Sequence, residues 1–329
     1  MNFEQNLLST LLQHNINWRF PDVNGLSERT LDCKQLAVME ILRWKGIDQI
    51  IPIFMNPFNC VLEGITLKRK EPKLQMGWVV NEMNLDSEND IKEKVQSVFD
   101  NNGYCILYYK AFKMPLSSYY NIHDITHWSL ITKSTNEELV IFDNTGTGEY
   151  FKGLIGTVPW DTFLEYWKEA GEGIATVINP SQDFSEKEWN KIFLEIVEES
   201  IKEMIEHNGL SNLFNFIKEI EKLPTTSVIR ELEKFEFSFN NFRRIRELWL
   251  LAVERKFIPK QYIMSGWVEE LMDLCKAWTL VIGLILKWKR QQHKDYKEKL
   301  CDFLWEVYEN EKRFFDELSA LVRSEGFDS

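Results

Sequence analysis

Length, composition and charge limit what this chain can be. It has 329 residues, 44% of them hydrophobic, so it can bury ordinary cores and is long enough for two domains. Its 51 acidic and 39 basic residues give a net charge of −12. This balance argues against a nucleic-acid-binding protein, because such proteins need a basic surface to replace the counterions of phosphate.

Cysteine usage and the apolar segments indicate the cellular setting. The five cysteines are odd in number, lie far apart and form no CxxC or zinc-like spacing. We therefore expect a reducing, cytoplasmic environment, no structural metal and no cofactor.

The first residues lack the basic and apolar regions of a signal peptide. Residues 277–286 are strongly apolar but are flanked by lysines and too short to span a bilayer comfortably, which predicts a buried helix and no membrane partner.

The first half of the chain mixes helical and β-strand patterns. Residues 47–54 are apolar and β-branched and predict a strand or a buried connector, although Pro52 weakens the strand interpretation. Predicted helices cover residues 3–14 and 33–45, a stretch after 86–90 that runs to about 100, and residues 160–170. Predicted strands cover residues 74–80, 104–109, 127–132, 139–144 and 174–178.

The second half has almost no strand pattern. Predicted helices there cover residues 189–207, 211–222, 226–236, 239–256, 259–290 and 291–323. The change of character falls at residues 179–183. We therefore predict one domain over residues 1–180 and a helical domain over residues 181–329.

Three residues form a candidate catalytic set. Cys33 begins an apolar run with helical spacing, which places its sulfur in the first helical turn, where unpaired N–H groups favour a thiolate. His127 begins one β-prone run and Asp143 closes the next, so a hairpin would bring them together. This pattern is typical of a nucleophile, a base and an orienting carboxylate. Each residue also has a structural interpretation, as a buried thiol, a core histidine and a turn cap, and Asn144 is a weaker alternative to Asp143.

Further side chains could complete this site. The backbone N–H of Cys33 would stabilise an oxyanion together with a side chain from the preceding loop, and three candidates there are not distinguished: Asn24, Ser27 and Arg29. Aromatic residues near the site could line a substrate groove or simply pack in the core: Trp128, Tyr108, Tyr109, Tyr119 and Tyr120.

A metal site is the main rival interpretation near His127. His123 lies four residues before it, the separation of a metal-binding pair on a helix. The intervening residues precede a strand instead, and no third ligand accompanies the pair. We therefore predict no metal site.

The residues around the three candidates resemble a known family. The chain resembles the bacterial double-glycine leader peptidases in three segments: Asp32-Cys33, His127-Trp128-Ser129-Leu130 and Phe142-Asp143-Asn144. More specifically, it is similar to their butirosin H N-terminal-type relatives. Those relatives form amides or transfer acyl groups in natural-product clusters. The resemblance covers residues 15–180. It implies an α+β protein with a papain-like cysteine peptidase fold and a Cys-His-Asp triad, followed here by an all-α domain.

The resemblance also implies an activity. An acyl chain held as a thioester on an acyl or peptidyl carrier protein would pass to Cys33 and then to a small amine, such as the diamine diaminopropane. Ser27 stands where the peptidases carry an oxyanion glutamine, and Asn144 stands where they commonly carry proline. The absence of this glutamine suits a thioester substrate better than a peptide, because cleaving the more reactive thioester requires less oxyanion stabilisation. A cysteine peptidase and a non-catalytic binding domain with the same fold remain the alternatives.

Overall fold

The chain is a mixed α+β protein with two compact units. A computed structural model describes residues 6–14, 16–85, 91–178, 186–263 and 266–324. The unit that we call the sheet unit comprises Met1–Ile50 and Gly77–Ser181, and the helical unit comprises Ile51–Met76 and Gln182–Ser329. The predicted two-part division did not anticipate that residues 51–76 group with the helical unit. The predicted boundary segment, 179–183, lies outside the described residues.

A seven-stranded antiparallel sheet dominates the sheet unit. Its strands are β3 (Val79–Asn84), β4 (Cys105–Lys110), β5 (Thr126–Ser134), β6 (Glu138–Phe142), β7 (Phe151–Lys152), β8 (Ile155–Pro159) and β9 (Gly171–Ile178), and β1 (Val61–Glu63) and β2 (Thr66–Lys68) form a separate hairpin. The strand order is β3-β9-β4-β5-β6-β8-β7. The predicted hairpin is confirmed, because β5 pairs with β6 in antiparallel register.

Three helices precede the first strand, two lie between strands, and the rest follow the last strand. The helices are α1 (Leu7–His14), α2 (Cys33–Trp44), α3 (Ile50–Phe54), α4 (Ile91–Asn102), α5 (Trp160–Ala170), α6 (Glu186–Ile201), α7 (Gly209–Lys222), α8 (Thr225–Glu254), α9 (Trp267–Arg290) and α10 (Lys297–Ser324). A π-helical turn, Lys202–Glu206, continues α6. None of the described helices combines the length and apolar composition needed to cross a membrane.

Helix α2 is positioned by its own sequence and by β5. A capping box begins it, since Asp32 Oδ1 accepts the Gln35 N–H at 2.9 Å and Gln35 Oε1 accepts the Asp32 N–H at 3.2 Å. Gly46, with a φ of 77°, follows its end. The helix packs against β5. Cys33 is thus the first helical residue beside the strand that carries His127.

Several predicted elements differ from the structure. Residues 50–54 form α3 and not a strand, because a short apolar run fits either element and Pro52 falls in the first turn, where no intrahelical N–H is needed. The strand predicted over residues 74–80 begins only at Val79. The predicted helices 226–236 and 239–256 are one continuous helix, α8, and those predicted to begin at 259 and 291 begin at Trp267 and Lys297.

A buried ion pair joins two helices of the helical unit. Arg246 of α8 donates from Nε to Glu311 Oε1 of α10 at 2.8 Å, and both side chains are almost fully buried. Trp278 also donates to Glu311 Oε1, at 2.9 Å, and the Arg246 guanidinium lies 4.9 Å from the Phe58 ring centre. The two charges therefore offset each other and contact aromatic groups, although Oε2 of Glu311 is buried without a hydrogen-bond partner among the described residues.

Replacing Glu311 should destabilise the helical unit strongly. Glu311→Ala leaves the Arg246 charge buried without its partner, which typically costs about 3 to 5 kcal/mol of unfolding free energy. Urea unfolding followed by circular dichroism measures this. The matched control is Glu195→Ala, which breaks the exposed Lys191–Glu195 pair and should change stability by no more than about 0.5 kcal/mol. Equal effects of the two variants would contradict the prediction.

Candidate functional site

The register of the β5–β6 hairpin brings His127 and Asp143 together. Leu130 of β5 lies opposite Phe142 of β6, so continuing this register places Asp143 beside Ser129, and Thr145 beside His127. The Nε2 atom of His127 lies 3.0 Å from Oδ1 of Asp143. Both side chains are buried, with relative exposures of 1% and 2%. The hairpin therefore forms a close histidine–carboxylate pair.

Cys33 interacts with the same histidine. Because Asp143 and the Thr145 hydroxyl, at 3.1 Å, lie at Nε2, the opposite nitrogen Nδ1 is the one left for sulfur. The buried Nδ1 has no hydrogen-bond partner among the described residues, and the nearby Cys33 is one of the causes that raise the pKa of His127. The structure thus brings the three predicted residues into one interacting set.

The exposure of Cys33 sets it apart from the other cysteines. It is partly exposed, whereas the remaining four are buried: Cys60, Cys105, Cys275 and Cys301. Burial raises the pKa of each of these four thiols, to about 12 for Cys275. Their thiols therefore stay protonated and unreactive near neutral pH.

Asp143 is enclosed by hydrogen-bond donors. Oδ1 accepts from the His127 Nε2–H at 3.0 Å and from the N–H and hydroxyl of Thr145 at 2.6 and 2.8 Å. Oδ2 accepts from the Tyr109 hydroxyl at 2.7 Å and from the Ser129 hydroxyl. We call Tyr109, Ser129 and Thr145 the carboxylate cage. The cage holds the carboxylate in one orientation and satisfies both oxygens.

The ionisation of the pair follows from these contacts. Burial alone would raise the pKa of Asp143, but the His127 charge and the hydrogen bonds from His127, Ser129 and Tyr109 lower it well below its usual range. Burial lowers the pKa of His127, but the negative charges of Asp143 and Cys33 and hydrogen bonds to both outweigh it and raise that pKa to about 10. The site therefore favours an imidazolium paired with the Asp143 carboxylate.

The first turn of α2 supplies a further donor. The capping box uses the N–H groups of Asp32 and Gln35, and the Cys33 N–H has no acceptor among the described residues. Such a free N–H at a helix start can stabilise an anion. A partly exposed cysteine near a histidine, together with an N–H that can stabilise an anion, suits nucleophilic attack on a carbonyl carbon.

The predicted oxyanion side chains lie on the loop before α2. Ser27 is buried, and its Oγ accepts the Arg29 N–H at 3.2 Å. Arg29 itself is exposed. Asn24 lines a separate cavity, which is described below. Which of these side chains assists the Cys33 N–H stays a prediction.

The predicted aromatic residues occupy different places. Tyr119 contacts the His127 ring edge-on, with 5.7 Å between ring centres. Trp128 stacks on Tyr108 at 4.7 Å, with the Lys34 ammonium 4.7 Å from a Trp128 ring centre. Tyr120 is 42% exposed. Tyr119 is thus the candidate lining residue in contact with the histidine.

Sequence reasoning missed the carboxylate cage. Tyr109 had been considered only as part of an aromatic groove or as packing, while Ser129 and Thr145 were not singled out. The available signal was the strand register, since Tyr109 lies opposite His127 in the β4–β5 pairing.

His123, the residue of the rival metal-site interpretation, packs edge-on against Tyr119, with 4.8 Å between ring centres. The described residues contain no group of three or more His, Cys, Asp or Glu side chains that could hold a metal ion.

The chain matches no protein-family model and no curated protein sequence. The interpretation of this site therefore depends on its geometry and on the resemblance in its motifs.

The charge of Asp143 should control the titration of His127. NMR of imidazole-labelled protein, assigned with His127→Gln, should show a His127 pKa near 10 and a much lower one in Asp143→Asn. The pKa of His127 is higher in the folded protein than its unfolded value of about 6.5. Protonated His127 therefore stabilises the fold fully below a pH of about 6.5, and this contribution is lost as the pH rises towards 10. Asp124→Asn, at an exposed carboxylate before β5, is the control. An unchanged pKa in Asp143→Asn would contradict the prediction.

Loss of the Tyr109 hydroxyl should cost more than loss of a neighbouring one. Tyr109→Phe removes a bond to a buried carboxylate, worth about 1.5 to 3 kcal/mol of unfolding free energy. Tyr108→Phe is the matched control on the same strand, because the Tyr108 hydroxyl donates to the neutral amide of Asn84, a bond worth about 0.5 to 1.5 kcal/mol. Denaturant unfolding of both variants compares the two losses, and a larger effect at Tyr108 would refute the role of the cage.

Proposed function

We propose that this protein is a cysteine-dependent acyltransferase that forms amide bonds, with a Cys33-His127-Asp143 triad on a papain-like fold. The main support is the 3.0 Å contact between His127 and Asp143, with Cys33 near enough to the same ring to contribute to the raised pKa of His127. Helix α2, with the nucleophile in its first turn, packs against the strand that carries the base. This arrangement is what a papain-like fold requires.

In the first step, the Cys33 thiolate attacks the carbonyl carbon of an acyl thioester. The Cys33 N–H stabilises the oxyanion of the tetrahedral intermediate. As that intermediate collapses, the carbon–sulfur bond to the carrier breaks. The His127 imidazolium gives its Nδ1 proton to the leaving thiolate, which leaves an acyl-enzyme and a neutral imidazole held by Asp143.

In the second step, a small amine attacks the acyl-enzyme. Neutral His127 accepts the proton from the attacking nitrogen, and the bond between the acyl carbon and the Cys33 sulfur breaks. The amide leaves, and the thiolate and imidazolium are restored. The carboxylate cage supports both steps, because it holds Asp143 ionised while the histidine gains and loses its proton.

The substrate class is inferred from the motifs. Ser27 replaces the oxyanion glutamine of the resembling peptidases, and a thioester needs less oxyanion stabilisation than an amide. Within that group of relatives, we infer a resemblance to the amide-forming enzyme of closthioamide biosynthesis. This similarity supports a carrier-bound acyl chain as donor and a diamine such as diaminopropane as acceptor, and thus a role in antibiotic biosynthesis.

Intact-protein mass spectrometry tests the proposed acyl-enzyme. After incubation with an acyl thioester of N-acetylcysteamine, wild type should gain the mass of one acyl group, and added diaminopropane should remove it as an amide. Cys33→Ala should gain nothing, because the attacking sulfur is absent. Cys301→Ala, which removes a buried thiol, is the matched control and should acylate like wild type.

The other outcomes distinguish the alternatives. Peptide cleavage without reaction with thioesters or amines would replace the proposal with a cysteine peptidase. No adduct, combined with alkylation of Cys33 by iodoacetamide no faster than that of Cys60 or Cys301, would indicate a non-catalytic binding domain.

A further inference from the structure

A cavity lies in the sheet unit, apart from the triad. Its volume is about 720 Å³, within the range of small-molecule sites, and Cys33, His127 and Asp143 are not among its lining residues. Its walls come from α1, from the loop over residues 16–26, from the later part of α2 and from residues 47–50. Of the side chains predicted to assist the acyl transfer, Asn24, an oxyanion candidate, lies in its lining.

A buried carboxylate lies in the wall of this cavity. Glu40 of α2 has a relative exposure of 2%. Its Oε1 atom accepts the Trp18 indole N–H at 2.9 Å and the Arg43 Nη1–H at 3.3 Å. No donor of the described residues reaches Oε2. An ionised carboxylate oxygen that has no protein donor can accept a charge-assisted hydrogen bond from a ligand at the cavity wall.

The charges of the cavity favour a cation. Three carboxylates line it, those of Asp22, Glu40 and Asp48, against one guanidinium, that of Arg43. Arg43 is already engaged, because it pairs with Asp22 as well as with Glu40. His14 also lines the cavity, but the three carboxylates outnumber the one guanidinium, so a cation would meet a surplus of negative charge.

The rest of the lining favours an apolar ligand body. It includes Leu11, Ile16, Phe20, Val23, Met39 and Ile50. Phe20 and Val23 are exposed, which leaves apolar surface available at the cavity. A ligand with an apolar body would cover this surface while its polar end reached Glu40.

We propose that this cavity binds a small organic ammonium ion with an apolar body, whose N–H group donates to Oε2 of Glu40. The site is separate from the triad, so binding does not depend on acyl transfer. Burial raises the pKa of Glu40 to about 7, although the Trp18 hydrogen bond opposes this rise. Binding of the cation would hold the carboxylate ionised.

Isothermal titration calorimetry with three related probes tests the ligand class. At a pH of about 8.5, 2-phenylethylammonium should bind with one equivalent per chain. The neutral 2-phenylethanol and the anionic 3-phenylpropionate should bind at least about ten-fold more weakly, because neither supplies a cation to Glu40. Equal binding of the alcohol, or no binding of the ammonium ion, would overturn the proposal.

Glu40→Gln tests the role of the carboxylate. Glutamine keeps an oxygen that can accept the Trp18 N–H but removes the charge, so affinity for 2-phenylethylammonium should fall at least about ten-fold. In wild type, affinity should be about 30-fold weaker at a pH of about 5.5 than at about 8.5, since a group with a pKa of about 7 is mostly protonated at the lower value. The variant should lose this pH dependence, and retention of wild-type binding would refute the proposal.

A surface variant tests the site without altering the buried wall. Val23 lines the cavity and is 87% exposed, so Val23→Lys should fold and weaken binding of the ammonium ion several-fold by repulsion. Leu280→Lys, at an exposed position of the helical unit, is the matched control and should bind like wild type. Cys33→Ala should also bind like wild type, which separates this proposal from the proposed acyl transfer. An unchanged affinity in Val23→Lys, or a loss in either control, would contradict the assigned site.

Discussion

The contact between the buried Asp143 carboxylate and His127 is the constraint on which the site depends. A carboxylate buried to this extent is tolerated only when donors replace the water that it has lost. The donors come from β4, from β5 and from the turn after β6. These three consecutive strands must therefore pair correctly for the Asp143 carboxylate to stay ionised. A shift of one residue in the β5–β6 register would point Ser129 and His127 away from Asp143.

The helix start depends on a second, local arrangement. Asp32 and Gln35 satisfy each other's N–H groups, so α2 begins at Cys33 with little conformational freedom. Cys33 is thereby held in a partly exposed position, while the remaining cysteines are buried. Position decides how a thiol behaves, because burial raises the pKa of Cys60 and Cys105, whereas Cys33 is partly exposed.

The sequence predicted the parts of the fold that local patterns control. The α2 start, the β5–β6 hairpin and the α+β class could be inferred from caps, alternation and turn residues. Element α3 could not, because a five-residue apolar run carries no decisive period. The grouping of residues 51–76 with the helical unit and the carboxylate cage depend on contacts between distant segments, and a single sequence does not encode these in any local pattern.

Two buried carboxyls in the sheet unit show how neighbours decide the outcome of burial. Asp143 accepts bonds at both oxygens and faces a cationic imidazole, so its pKa falls. Glu40 accepts bonds at Oε1 alone and its pKa rises to about 7. Burial acts in the same direction on both groups, and the number and charge of the donors determine which effect prevails. Asp143 is therefore a permanent charge within the fold, whereas Glu40 is a group whose ionisation a ligand can control.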